Sequence, residues 1–145
     1  MDNVILHAHS GLRWVALLFL VLAIFKAFSS KNNPYQPIEK KLGLFTLISF
    51  HTQALIGLYL YFTSAKVSFI EGFMSEKSTR FFNIEHLVGM VLAIIFVTMA
   101  YSMSKKKESA LAKRKPIKIW FTIALIIVLA SIPWPFREGL GGQWF

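Results

Sequence analysis

The four histidines are the residues whose type and placement point most clearly to chemistry. His7 and His9 lie at the beginning of the first long apolar stretch, His51 inside the second and His86 near the beginning of the third. None lies in the lysine-rich segments between the stretches. Ionisable side chains within a membrane are costly, and they usually face the interior of a helical bundle or a bound group. Each histidine is therefore a candidate site residue.

Haem ligation is the chemistry that these histidines suit best. The chain has no cysteine, which excludes thiolate-ligated iron–sulfur clusters and the covalent attachment of c-type haem. Neutral imidazoles can hold a haem iron from both sides without any thiolate. Residues two apart on a helix point about 200° apart, so His7 and His9 cannot both face one core. The sequence predicts His86 and one of these two as axial ligands of the iron.

Three further residues are predicted to belong to the site. His51 lies roughly 20 Å from the outer end of its helix, which predicts a second, deeper centre or a quinone or proton site. A polar network with Thr52 and Gln53 is the alternative for His51. Arg13 and Arg80, near the outer surface, are predicted to pair with haem propionates, since an arginine fork matches carboxylate geometry. The alternative for Arg13 is an anchor at the membrane boundary.

The elements that position these residues are four apolar helices. The chain is 55% hydrophobic with a mean hydropathy of +0.55, and a span needs about 20 mainly apolar residues to cross a core of roughly 30 Å. We expect an all-α protein, a four-transmembrane-helix bundle running up-down-up-down with both termini outside. The predicted helices cover about 4–29, 42–65, 79–104 and 117–133 of a single integral membrane domain, 1–145.

Local signals predict where these helices begin and what connects them. Pro34 and Pro37 are expected to keep the first connection free of helix. Ser78 is the predicted N-cap of the third helix, and Pro116 is placed in the first turn of the fourth. The second connection, 66–77, alternates apolar and charged residues and is expected to lie along the membrane surface.

The charge distribution predicts the orientation. The net charge is +9, and eleven of the sixteen basic residues flank the first and third connections, accompanied only by Glu39 and Glu108. By the positive-inside rule those loops are cytoplasmic. The basic charge is thus explained by membrane topology and by a solvated surface at the lipid bilayer. No nucleic acid is expected as a partner. The expected location is a bacterial inner membrane. The eleven residues are Lys26, Lys31, Lys40, Lys41, Lys105, Lys106, Lys107, Lys113, Arg114, Lys115 and Lys118.

Three segments resemble the histidine-bearing helices of a known class of protein. His9-Ser-Gly-Leu-Arg-Trp14, His51-Thr-Gln-Ala-Leu-Ile-Gly57 and Glu85-His86-Leu-Val-Gly-Met90 resemble those of bacterial cytochrome b561-type proteins and of one four-helix half of haem A synthase. The resemblance covers the first three helices. It implies haem b and one-electron transfer, with quinone as an exchange partner for electrons.

The leading hypothesis is a membrane b-type cytochrome that carries electrons, alone or as a subunit of a respiratory complex with other membrane subunits. Electron transfer is favoured over catalysis, because the sequence has no nucleophile–base set, phosphate-binding glycine loop or pair of intramembrane carboxylates. One alternative is a cofactor-free membrane subunit or assembly factor. Another is a non-haem metal site at the outer face that uses His7, His9 and His86 with Glu85 or Asp2.

Overall fold

The structure is a computed structural model that describes the backbone of residues 2–144 and the side chains of residues 4–144. Within that part the chain is helical and contains no strand, so the expected all-α class is confirmed. Four long helical segments follow one another. They are α1, Asp2–Ser29; α2, Pro37–Thr63; α3, Lys77–Lys105; and α4, residues 110–131.

Three of these helices have the length and composition of membrane spans, namely Val4–Ser29 within α1, Pro37–Thr63 and Lys77–Lys105. Many large apolar side chains are exposed on the outside of the helical bundle. Phe25, Leu55 and Phe62 are 67%, 72% and 78% exposed. A continuous outward-facing apolar surface of this kind is typical of a protein that contacts lipid. The apolar part of α4, 117–131, is shorter than the spans and follows a basic first half.

The helices pack in a closed ring of neighbours. α1 packs on α2, α2 on α3, α3 on α4, and α4 returns to α1, so α1 and α3 lie diagonally opposite. The buried centre is rich in small residues, which allow helices in a membrane to approach closely. The fully buried apolar residues there include Leu20, Ala93, Val97, Ala100, Phe121 and Ala124.

All four helices begin earlier than predicted, α1 and α3 by two residues and α2 and α4 by five and seven. α2 begins at Pro37, because this proline occupies its first turn, and the Gln36 amide donates to the Glu39 carboxylate over 3.0 Å. α4 begins at residue 110, where the Ser109 hydroxyl accepts from the Ala112 amide over 3.2 Å. Pro116 therefore lies in the interior of α4 and not in its first turn.

Both α3 and α4 contain a widened, π-helical turn. In α4 this turn, Ile117–Phe121, follows Pro116 directly, and widening accommodates a ring that otherwise crowds the preceding turn. In α3 the turn is Phe81–Glu85, just before His86. The N-cap of α3 is Glu76 and not the predicted Ser78, since its carboxylate accepts from the Ser78 and Thr79 amides.

The two ends of the ring differ in composition. The histidine end comprises the N-terminal turns of α1 and α3, the connection 64–76, and the C-terminal tail 132–144. The connection is irregular, with Phe69 and Ile70 exposed, and is not helical. The basic end comprises the connection 30–36 and residues 101–115. The tail contacts α1 through Arg13, so both ends of the described chain lie at the histidine end.

Candidate functional site

His9 on α1 and His86 on α3 meet at the histidine end. Their ring centroids are 6.4 Å apart and their planes are inclined by 78°. Both side chains are half-buried. The helices that carry them are diagonal partners, so the two imidazoles approach each other across the ring of helices. The structure thus brings together one histidine from each of the two helices that the sequence singled out.

His86 is held in one orientation by the end of α4. Its Nδ1 lies 2.7 Å from the Ser131 carbonyl oxygen. A carbonyl only accepts, so Nδ1 carries the proton and Nε2 is left with its lone pair. This arrangement is the usual support of a metal-binding histidine, in which one ring nitrogen donates to a backbone carbonyl. Phe81 and Phe82 complete the surroundings, with centroids 5.9 and 6.3 Å from the imidazole.

A glycine makes this support possible. A Cβ atom added at Gly89, one turn beyond His86, would overlap the Ser131 hydroxyl and stand 2.9 Å from the Ser131 Cβ. Because Gly89 has no side chain, the last turn of α4 approaches α3 closely enough for its carbonyl to reach the imidazole. In the sequence this glycine appears only within the segment Glu85-His86-Leu-Val-Gly-Met90, which gives no partner for it.

His9 has a nitrogen without a hydrogen-bond partner. Its Nδ1 is buried and, among the described residues, bonds to nothing. The ring lies against α2, where a Cβ added at Gly57 would stand 3.2 Å from the His9 Cε1. One turn earlier on α2, the Gln53 amide donates to the His9 carbonyl oxygen over 3.2 Å. α2 therefore binds the His9 backbone carbonyl and packs against the imidazole without giving it a hydrogen bond.

Arg13, one turn from His9, binds the C-terminal tail, which forms a tryptophan-rich cover over this part of α1. The Arg13 guanidinium donates to the carbonyl oxygens of Gln143 and Trp144, over 3.1 and 2.9 Å. The Trp14 indole donates to the same Trp144 carbonyl over 2.9 Å. Trp14, Trp134 and Trp144 form a cluster with centroids 6.0–6.2 Å apart. The sequence signal for this cover was the tryptophan and glycine content of the tail, which gave no partner.

The other predicted site residues lie away from the pair. His51 is exposed on the surface of α2, and its Nδ1 lies 2.8 Å from the Leu47 carbonyl of the same helix. His7 is also exposed. Arg80 pairs with Glu85 over 2.9 Å and donates to the Met74 carbonyl. Gln53, a member of the polar network that was the alternative for His51, contacts His9.

No third ligand joins the two histidines. Among the side chains that the structure describes, no three His, Asp or Glu groups converge as a metal site would require. Glu85 is taken by Arg80, and the Asp2 side chain lies outside the described ones. The site is thus a pair of imidazoles beside a guanidinium, beneath a tryptophan-rich cover.

A second buried polar cluster lies at the basic end. Arg114 is 1% exposed and donates to both carboxylate oxygens of Glu39 over 2.7 Å. Its remaining bonds go to the carbonyls of Lys31, Asn33 and Pro34. The Glu39 carboxylate raises the pKa of this guanidinium above its ordinary value. The expectation that all the basic residues form a solvated surface is therefore wrong for Arg114.

Comparison with known proteins gives no relative for this arrangement: no protein family, curated protein or solved structure matches the chain.

Proposed function

We propose that this chain is a four-span protein of a bacterial inner membrane, with both termini outside. α1, α2 and α3 supply three spans, and the apolar part of α4 supplies the fourth. The proposal is supported by the apolar outer surface and by the concentration of lysine at the basic end. In this orientation the histidine site faces the outer side, and the basic end faces the cytoplasm.

We propose further that His9 and His86 would hold haem b, each through an imidazole nitrogen. The two imidazoles lie next to each other, with centroids 6.4 Å apart. The unpartnered His9 nitrogen, beside this second imidazole, is the observation that carries the proposal. Buried nitrogens without partners are rare and call for an explanation such as a ligand.

The site must open to admit a macrocycle. At 6.4 Å the two imidazoles already make an edge-to-face contact. To hold haem, His9 and His86 would have to open this contact, and Phe81 and Phe82, which pack beside His86, would line the site. Haem would supply one-electron redox chemistry when bound.

The chain's own residues would tune that centre. Ser131 fixes the His86 tautomer, so the ligating nitrogen keeps its orientation. Arg13 lies one turn from His9 on the same helix face, and its charge favours the reduced form of the centre. The electron partner is proposed to be quinone or another subunit of a respiratory complex.

The test is a dithionite-reduced minus air-oxidised spectrum of detergent-purified protein, expressed with adequate haem. We expect a sharp α-band of the b type, lost in His86→Ala and His9→Ala. His51→Ala and His7→Ala are matched controls that should keep the band, because those histidines lie outside the pair. Loss of the band in a control, and not in His9→Ala, would overturn the ligand assignment.

A cofactor-free membrane subunit or assembly factor is the second candidate. The direct contact between the His9 and His86 rings favours it, since a contact of this kind also packs well without any ligand. The same spectrum separates the two functions: a colourless, stably folded protein from haem-supplied cells supports this candidate and excludes the cytochrome.

A further inference from the structure

A small cavity lies at the basic end, on the opposite side of the protein from the histidine pair. Its volume is about 100 Å³, and it lies between the connection 30–36, α2, α3 and α4. Its walls are three lysines and three hydroxyl-bearing residues. They are Tyr35, Lys40, Tyr101, Ser104, Lys105 and Lys113.

The positive charge around this cavity is uncompensated. Among the described residues, none of Lys40, Lys105 and Lys113 has a carboxylate within 4.0 Å. Glu39, next to Lys40 in the chain, has both oxygens bound by Arg114. Positive charges around one cavity repel one another, and a bound anion relieves that repulsion. The lining of this cavity therefore suits an anion.

The hydroxyl-bearing walls are held in place by packing. Ser104 is 4% exposed. A Cβ added at Gly43 of α2 would stand 3.2 Å from the Tyr101 ring, so this glycine lets the ring pack against α2. The Lys113 ammonium lies 4.9 Å from the centre of the Tyr35 ring. Burial raises the pKa of the Tyr35 phenol, which keeps it a neutral donor.

The size of the cavity selects the kind of anion. One water molecule needs roughly 10–15 Å³ of volume measured in this way, so the cavity has room for a group of several heavy atoms. That is enough for a phosphate group. We propose that this cavity binds a phosphate group, supplied by the headgroup of an anionic lipid or by free phosphate. Basic pockets between helices at a cytoplasmic membrane face are suited to anionic headgroups.

The experiment is a native mass-spectrometry titration of the full chain in neutral detergent with phosphatidylglycerol. The double variant Lys105→Gln/Lys113→Gln removes two of the ammonium groups that line the cavity. The matched control is Lys106→Gln/Lys107→Gln, which makes the same charge change in exposed lysines outside the cavity. We expect the affinity to fall by about tenfold or more in the first and to stay within about twofold in the control. Equal losses in both would overturn the proposal, because they would show attraction to surface charge alone.

Two further single variants and a titration with inorganic phosphate complete the test. Tyr101→Phe removes one hydroxyl and should weaken binding by about threefold. Lys40→Gln, an exposed position, serves if the double variant does not fold, and should also weaken binding. Inorganic phosphate, titrated in parallel, separates the sources: competition with the lipid shows one shared site, and binding of phosphate without lipid shows a site for the free anion. Absence of both kinds of binding overturns the proposal.

Discussion

The two ends of the helical ring each bury a basic side chain, but they satisfy it to different degrees. At the basic end every nitrogen of Arg114 has an acceptor. At the histidine end the His9 Nδ1 and the Arg13 Nε are buried without partners. The third such atom among the described residues, the Ser30 hydroxyl, lies at the basic end but outside the Arg114 network. A saturated network stabilises a fold, whereas one with unused bonding capacity is suited to a ligand.

The largest effect on stability is expected from Arg114→Met. It leaves the Glu39 carboxylate buried and uncompensated, which typically costs about 3–5 kcal/mol. Unfolding in detergent, followed by circular dichroism, measures the change. Lys115→Met, a neighbouring exposed position, is the control and should change stability by no more than about 0.5 kcal/mol. Similar results for both variants would show that the ion pair does not stabilise the basic end.

Gly89→Ala is expected to cost about 1–3 kcal/mol, because the added methyl group overlaps the Ser131 side chain. The same shift moves the Ser131 carbonyl from His86, so the haem band should weaken as well. Gly11→Ala is the matched control: its Cβ would meet nothing within 4 Å. That variant should be neutral or more stable by up to about 1 kcal/mol. A destabilised control would indicate that glycine matters at both positions for another reason.

Trp14→Phe should cost about 0.5–1.5 kcal/mol, since it removes the hydrogen bond to the Trp144 carbonyl and keeps an aromatic ring. Hydrogen exchange should increase in the tail 133–144 and remain unchanged in the basic end. Trp120→Phe is the control, because that indole stacks on Phe96 away from the tail. Unaltered exchange in the Trp14 variant would show that this hydrogen bond does not hold the tail against α1.

The smallest change in stability is expected from His9→Leu, within about 1 kcal/mol in either direction. Its imidazole nitrogen has no partner to lose, and an apolar side chain suits the site. The reduced-minus-oxidised spectrum should nevertheless lose its α-band. If His9→Leu proves as destabilising as Arg114→Met, the contrast between the two ends disappears and His9 is a structural residue.

The sequence predicted the features that depend on local patterns. Apolar run length identified the helices of α1 to α3, because the requirement for a span is set by each segment alone. The sequence predicted that His86 would meet either His7 or His9, because the first and third helices run in the same direction. The structure brings His9 to His86. The ligand role, the membrane orientation and the cofactor remain predictions.

Features that depend on distant partners were missed. Arg114 lies among lysines in a basic connection, so its sequence context indicates only membrane topology. Its burial depends on carbonyls in the connection 30–36, some eighty positions earlier. The beginning of α4 was placed too late, because Pro116 was read as a first-turn residue, and a widened turn instead lets the helix continue past it. The tail's carbonyls are bound by Arg13 through contacts that no local pattern encodes.

The widened turn Phe81–Glu85 also affects how α3 can tolerate changes in length. A π-helical turn closes its hydrogen bonds over five residues where an α-helical turn uses four, so it holds one residue that a regular helix does not need. Deleting a residue there can restore a regular turn while the helix beyond it, from His86 onward, keeps its angular register. A deletion further along, in 91–100, has no such reserve, and it rotates every following side chain by about 100°. The turn thus gives this helix a place where evolution can insert or remove a residue without disturbing His86.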